Sequence, residues 1–392
     1  MTPAARAQAA IEILDLVMAS VRNNGPPADR IVADWFRTRR FAGSGDRRAV
    51  RELVYGAIRT CGEVPQSGRA AILRMAQLQP GLAELFDGSV HGPAPLRPGE
   101  QPAGGGLAPR WLEHALAGSG IEGENAAALL GRAPLDIRVN TLKATCDTLV
   151  LPLAADPTAA PQGLRLPSGT AVEQWDAWRD GLIEVQDAGS QLACLALEAR
   201  AGETIVDLCA GAGGKTLALA AAMADRGRLV ASDTDRGRLS RLAPRAARAG
   251  ATIAETLLLD PGREAEALAG LAGQADAVLV DAPCSGTGTW RRNPEARWRL
   301  SEAQIARHVA LQVRLLDIGA GLVRPGGRLV YAVCSLLDAE GASQADGFIA
   351  RHPGWLADMP QLTAGEIRGK GVRLEPLRDG TDGFYIARFV RM

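Results

Sequence analysis

The stretch that decides the fold is Thr204-Ile-Val-Asp-Leu-Cys-Ala-Gly-Ala-Gly-Gly-Lys-Thr216. It opens as a short apolar strand, passes through three glycines, and from residue 217 to 224 turns apolar without a break, as a buried helix does. Glycines between a strand and a helix let backbone approach a ligand at the carboxyl end of a sheet. Spacing separates the ligand classes that use such a loop. A phosphate-binding loop fits at Gly214-Lys215-Thr216, but Cys209 occupies the position of its first glycine. A dinucleotide fingerprint starting at Gly211 needs glycine where Thr216 stands. Each fails by one residue. A nucleoside–methionine ligand remains, and it calls for an acid after the second strand to accept from the ribose hydroxyls. Asp233 stands there, after Leu229-Val-Ala-Ser, and Asp260 follows the third strand, where it would meet the adenine edge. An acid after a strand is as readily a turn or cap residue. The pair in register behind a glycine loop favours the cofactor.

Further out from the loop, strand and helix alternate. Arg228-Leu-Val-Ala-Ser232, Thr256-Leu-Leu-Leu259, Ala277-Val-Leu-Val280 and Arg328-Leu-Val-Tyr-Ala-Val333 are short apolar strands with helical stretches between them. This predicts an α/β fold: a mostly parallel, doubly wound, Rossmann-like sheet covered on both faces, over residues 186–392. Residues 1–87 carry apolar side chains at three- and four-residue spacing and predict an all-helical domain. Residues 88–107 are rich in glycine and proline and read as a mobile linker. Residues 108–185 combine a helical stretch with Ile137-Arg-Val-Asn-Thr-Leu142, which alternates like a strand, and predict a small α+β linking domain.

Composition sets bounds rather than answers. The 392 residues are 47% hydrophobic, with no apolar run near the ~20 residues of a membrane span and no basic-then-apolar leader, so a soluble cytoplasmic protein without a membrane partner is expected. Six cysteines are scattered singly and only four histidines occur, so no zinc-finger spacing exists and no metal is expected. The formal net charge is zero, which leaves a nucleic-acid ligand to be argued from distribution. Arginines cluster in 37–51 and again in 291–299, the second time beside Trp290 and Trp298. Basic and aromatic residues together suit phosphate contact and base stacking, so residues 290–298 are expected to touch RNA at the mouth of the active site; a packing role is the alternative. Nothing in the sequence points to a protein partner.

Two cysteines stand out. The fourth strand ends in Asp281-Ala-Pro-Cys284-Ser-Gly-Thr-Gly and the fifth in Val333-Cys334-Ser335, which puts both thiols at the carboxyl ends of neighbouring strands. Carbon 5 of cytosine is too poor a nucleophile to accept a methyl group unaided. A thiolate adding to carbon 6 makes carbon 5 enamine-like; a base then removes the carbon-5 proton and the thiolate is expelled. Such a cysteine must be partly ionised, and a nearby acid should hydrogen-bond or protonate the ring at nitrogen 3, for which Asp281 is the candidate.

Taken together, these motifs resemble those of the RNA cytosine-5 methyltransferases of the RsmB/Nop2/Sun family, and within it the bacterial branch acting on small-subunit rRNA. Residues 207–216 are similar to the family's D-x-C-A-A-P-G-G-K-T loop, Asp233-x-Asp-x-x-Arg238-Leu to its acidic ribose motif, and the segments around Cys284 and Cys334 to its two cysteine motifs. Arg138-Val-Asn-Thr-Leu-Lys143, Gln186-Asp-x-x-Ser190 and Asp382-Gly-Phe-Tyr385 resemble further signatures, so the likeness covers residues 133–392. Asp46-Arg-Arg-x-Val-Arg-x-Leu-Val-Tyr55 resembles the NusB-like RNA-binding domain attached to the rRNA enzymes, a weaker match.

The resemblance implies a class I S-adenosylmethionine-dependent methyltransferase fold with a helical NusB-like N-terminal domain. It implies S-adenosyl-L-methionine as cofactor, bound by Cys209, Ala210, Gly211, Ala212, Gly213, Gly214, Lys215, Asp233, Arg238, Asp260 and Asp281. It further implies Cys334 as nucleophile, Cys284 assisting product release, Asp281 near the base, and RNA, in the first place 16S rRNA, as substrate. Spacing alone does not choose between the cysteines. Two departures stand out: Cys-Ala-Gly-Ala-Gly-Gly replaces Cys-Ala-Ala-Pro-Gly-Gly, which frees the loop backbone, and Val-Cys-Ser replaces Thr-Cys-Ser. Transfer RNA as substrate keeps the same chemistry. A non-catalytic RNA-binding assembly factor is the rival from another class, and it predicts loss of the groups that are all present here. A nucleotide hydrolase would need the missing loop glycine.

Overall fold

The computed structural model describes all 392 residues, which form two compact units. The first comprises Met1–Gly131 together with Trp290–Ser301, the second Arg132–Thr289 with Glu302–Met392. No helix is long and apolar enough to cross a membrane.

The core of the first unit is formed by four of its helices, α1 (Pro3–Arg22), α2 (Ala28–Arg37), α3 (Ser44–Thr60) and α4 (Gly68–Leu78). Local chemistry starts two of them: the Thr2 side chain accepts from the Ala5 N–H with Pro3 at the first helical position, and Ser67 accepts from Ala70. Their apolar faces meet around Ile13, Leu14, Val17, Val32, Val50, Val54, Ile58 and Ile72. The glycine- and proline-rich stretch is tied down on this unit. Ala103 N–H donates to the Ala70 carbonyl, Gly62 N–H to that of Gly104, and Arg69 pairs with Glu100.

Of residues 290–298, expected to touch RNA, the aromatic residues and most of the charged ones pack inside this unit instead, with Asn293 alone exposed. Trp290 and Arg297 are fully buried and Trp298 nearly so. Arg297 Nη2 donates to the carbonyls of Ile58 (2.6 Å) and Cys61 (2.7 Å) at the carboxyl end of α3, where a guanidinium satisfies carbonyls the helix leaves open. Glu295 Oε1 accepts from the Ala28 N–H at the start of α2 (2.9 Å), and Trp298 Nε1 donates to Gly62 (3.0 Å). A segment rich in arginine and tryptophan thus serves as a set of helix caps. Composition looks the same in either role.

The second unit begins with a small antiparallel sheet of β1 (Leu135–Val139), β2 (Asp156–Pro157), β3 (Gly163–Leu166) and β4 (Ile183–Val185), in the order β2-β3-β1-β4. The large sheet follows: β5 (Thr204–Leu208), β6 (Arg228–Asp233), β7 (Ala254–Leu258), β8 (Ala275–Asp281), β9 (Val323–Val333), β10 (Trp355–Ala357), β11 (Glu366–Arg368), β12 (Gly371–Leu374) and β13 (Phe384–Arg391). Its order is β11-β12-β13-β9-β8-β5-β6-β7, with β10 also on β13. Strands β5 to β9 pair in parallel, and β13 runs antiparallel to β9. This is the mostly parallel, doubly wound sheet that the alternation of strand and helix predicts, and the class I methyltransferase arrangement that the resemblance implies. The chain leaves β5 toward β6 and β7, then crosses back to β8 on the other side. The switch point therefore lies between β5 and β8, and an open α/β sheet binds its ligand outside the strand ends at such a point.

Candidate active site

Strand β5 delivers the chain into a tight loop. Cys209 has φ +72°, an uncommon value for a residue with a side chain, and Gly213 at φ +84° precedes the helix Gly214–Ala222. The Gly213 φ is one that side chains rarely adopt, and a Cβ there would also stand 2.2 Å from Leu242 Cδ1, so a substitution is strained. At the end of β6, the Asp233 carboxylate accepts from the N–H of Gly211 and of Asp235, each at 2.7 Å. This fixes the loop while leaving carboxylate lone pairs for further donors such as ribose hydroxyls. Arg238, exposed, lies against Gly211. Asp260 is exposed just beyond β7, whose following residue, Leu259, donates to the Asp233 carbonyl (2.9 Å). Nothing crowds the outer side of Gly214, where a side chain would meet open space. Below the loop, buried Asp207 accepts from Thr216 Oγ1 at 2.6 Å, and its other oxygen has no partner. Burial raises its carboxyl to about 7. A glycine cradle backed by a buried acid and an acid at the neighbouring strand end suits a nucleoside bearing a cationic tail.

At the switch point, Lys215 Nζ donates to Asp281 Oδ2 at 2.8 Å and lies 5.5 Å from the Phe384 ring centroid. Burial disfavours the ammonium, but the adjacent carboxylate outweighs it and holds Lys215 above its ordinary value. Beyond Asp281 the two cysteines converge, with Cys284 Sγ 3.5 Å from Cys334 Sγ. The Cys284 thiol is pushed well up, first by its hydrogen bond with Cys334 and then by burial. Backbone bonds lock the two loops together: Gly288 N–H donates to the Cys334 carbonyl (3.1 Å), and Gly383 N–H to that of Gly288 (2.8 Å). Gly288 and Gly383 touch backbone to backbone, so the Asp382-Gly-Phe-Tyr signature buttresses the first cysteine loop. The remaining cysteines lie elsewhere; Cys61 and Cys194 are buried and Cys146 is exposed. No group of three or more histidine, cysteine or acidic residues could hold a metal ion.

The family model for 16S rRNA methyltransferase RsmB/F matches residues 194–390, half of the chain and all but the last residue of the large sheet. The chain belongs to the RsmB/F methyltransferase family. Among curated relatives, ribosomal RNA small subunit methyltransferase B of Erwinia tasmaniensis is 38% identical over 267 residues, covering 66% of this chain and 60% of the relative. The chain thus spans about 60% of that relative's length. Among solved structures, PH0851 is 26% identical with a TM-score of 0.76, covering 98% of either chain. A methyltransferase homolog protein from Pyrococcus horikoshii is 26% identical with a TM-score of 0.60, covering 72% of this chain and 99% of that one.

This RsmB/F member differs from the usual loop by lacking a proline at Ala212, and the structure contains a brace at that residue. Arg245 Nη1 donates to the Ala212 carbonyl at 2.6 Å, while its Nη2 bonds Glu184 Oε2 at 2.8 Å. Glu184, on β4 and almost fully buried, also pairs with Arg248, whose guanidinium stacks 4.0 Å over Trp178. Sequence reasoning missed Arg245 and Glu184. No motif signals them, because the brace joins β4 to a loop that is adjacent only in space.

Proposed function

We propose that this chain is an S-adenosylmethionine-dependent RNA (cytosine-5) methyltransferase acting on small-subunit rRNA. The observation that carries the reading is the pair of thiols 3.5 Å apart at the ends of β8 and β9, beside the Lys215–Asp281 pair. Two thiols that close serve one ring better than they serve packing. The Cys284 thiol is pushed well above its ordinary value, so in this reading it is the protonated partner and donates to the Cys334 sulfur. A nucleophilic Cys334 needs that arrangement, and the family resemblance assigns the same role. In this reading the Cys334 thiolate adds to carbon 6 of the cytosine, the proton that nitrogen 3 takes up as the adduct forms is shared with Asp281, and Cys284 assists expulsion of Cys334 once the carbon-5 proton is gone. The loop from Cys209 to Lys215, with Asp233, Arg238 and Asp260, would hold S-adenosylmethionine, which supplies the electrophilic methyl when bound.

The helical unit, read as NusB-like, would contribute RNA contacts. Exposed Arg37, Arg40, Arg47, Arg48 and Arg51 gather around the α2–α3 connection and offer phosphate-binding charge. The cytosine must be unpaired or flipped to reach thiols at the sheet edge.

The test is methyl transfer from labelled S-adenosylmethionine to total RNA fractionated into ribosomal and transfer pools, with wild type beside Cys334→Ala. Label as 5-methylcytosine in small-subunit rRNA, absent in the variant while cofactor binding persists, is the expected result. Label in transfer RNA would overturn the substrate, and undiminished label in the variant would overturn the nucleophile.

A further inference from the structure

Beneath the two thiols lies a carboxylate that neither cofactor nor substrate recognition explains. Glu340 is fully buried in the connection between β9 and the helix Ala342–Arg351. Its Oε2 accepts from the hydroxyls of both Ser285 and Ser335, the latter at 2.6 Å. Its Oε1 accepts from the Ser285 N–H at 2.9 Å and, more loosely, from Gln312 Nε2 at 3.3 Å. Gln312, on the helix Glu302–Leu322, also donates to the Pro283 carbonyl at 3.0 Å, and the Tyr331 hydroxyl donates to the backbone carbonyl of Glu340 at 2.5 Å. The two serine hydroxyls are 3.1 Å apart, and Thr287 Oγ1 joins Ser335 at 3.2 Å.

Two features of this network matter. Its donors are hydroxyls, an N–H and an amide, with no cation among them, and a buried carboxylate held this way is a poor source of stability compared with apolar packing. Ser285 and Ser335 are also the residues that directly follow Cys284 and Cys334. One side chain therefore grips both cysteine loops, which come from different strands and lie fifty residues apart in the chain.

We propose that Glu340 is the shared positioning residue of the two cysteine loops, holding Cys284 Sγ and Cys334 Sγ close enough to act on the same base. Its bearing on catalysis rests on the cytosine-5 reading above; its geometric content does not. Attack by one sulfur and release assisted by the other require both to face one ring, and a displacement of about 1 Å at such a site costs on the order of a hundredfold in rate.

The experiment uses phenylarsine oxide on the full chain. This trivalent arsenical condenses with two neighbouring thiols, forming two As–S bonds and releasing one water, with no change of oxidation state. Wild type should bind one equivalent, and Cys284→Ala should lose that binding. Glu340→Ala should bind about tenfold more weakly or worse, the equivalent of one charge-assisted hydrogen bond lost. Glu340→Gln, whose amide oxygen still accepts, should recover most of the affinity. If Glu340→Ala does not fold, the Ser285→Ala/Ser335→Ala double variant carries the same expectation. In methyl transfer, Glu340→Ala should lower kcat and leave the KM for cofactor unchanged. A folded Glu340→Ala or double-serine variant that binds the arsenical like wild type would overturn the proposal, as would wild type that does not bind it. The arsenical measurement needs neither RNA nor cofactor, so failure of the positioning role and failure of the methyltransferase reading give different patterns.

Discussion

Arg245→Ala isolates the brace on the loop proposed to hold the cofactor. The substitution removes the donor to the Ala212 carbonyl and one bond to Glu184. Glu184 keeps Arg248, so its buried carboxylate is not left unpaired and the damage stays local. A hydrogen bond from a charged donor contributes about 1.5–3 kcal/mol, and the partial exposure of Arg245 argues for the low end or below, about 1–1.5 kcal/mol. With neither a proline at 212 nor the Arg245 side chain on that carbonyl, the loop is expected to sample conformations that cannot bind. Apparent affinity falls in proportion to the competent fraction, by about five- to tenfold. Titration calorimetry with S-adenosylmethionine reads this directly, with denaturant unfolding of the same variant to show that it folds. Arg248→Ala is the comparison: it loses the Trp178 stack but no loop contact, and should lower stability with little change in affinity. A folded Arg245→Ala whose affinity stays within about twofold of wild type would refute the reasoning, because twofold is less than half a kcal/mol.

Three further outcomes are expected. Cys284→Ala should accumulate a covalent protein–RNA adduct, seen as a shifted band on a denaturing gel and absent when Cys334 is also replaced; no band at any time point counts against a role in release. Asp207 has a folded-state value near 7 against an ordinary 3.8, so the native protein carries an extra proton between those pH values. Its contribution to stability is full below the lower value and is lost as pH rises through the upper one, by on the order of 4 kcal/mol. Asp207→Asn should remove that slope from the pH dependence of unfolding, and an unchanged slope would assign it to other groups. Arg297→Ala, which strips the Ile58 and Cys61 carbonyls at the end of α3 of a buried donor, should cost about 2–5 kcal/mol by denaturant unfolding and leave the RNA affinity of the folded protein unchanged. Weaker RNA binding with unaltered stability would restore a contact role to that segment.

The large sheet was legible because each of its signals is local. Alternating or continuous apolar residues declare strands, the glycines at 211, 213 and 214 declare a loop that approaches a ligand, and Asp233 and Cys284 mark strand ends by the residues around them. The fate of Trp290–Ser301 was not legible. Arginine and tryptophan suit RNA and a helix-capping core equally, and the partners that decide, Ile58, Cys61 and Gly62, lie more than two hundred residues away. Glu340 was invisible for a related reason: an acid six residues after a cysteine carries no motif, and its function is set by burial under Ser285 and Ser335.

The sequence by itself therefore determined the class of fold and the glycine loop after its first strand, which follow from backbone preferences and side-chain periodicity within a few residues, while the cysteine motifs were read by resemblance to the family. Tertiary structure alone decided that the cysteines stand 3.5 Å apart, that Lys215 pairs with Asp281, that Arg245 braces the loop, and that a segment following the first cysteine belongs to the helical unit. The physical reason is that a buried polar group must find a partner wherever the fold brings one, and that choice depends on which distant surfaces are desolvated together.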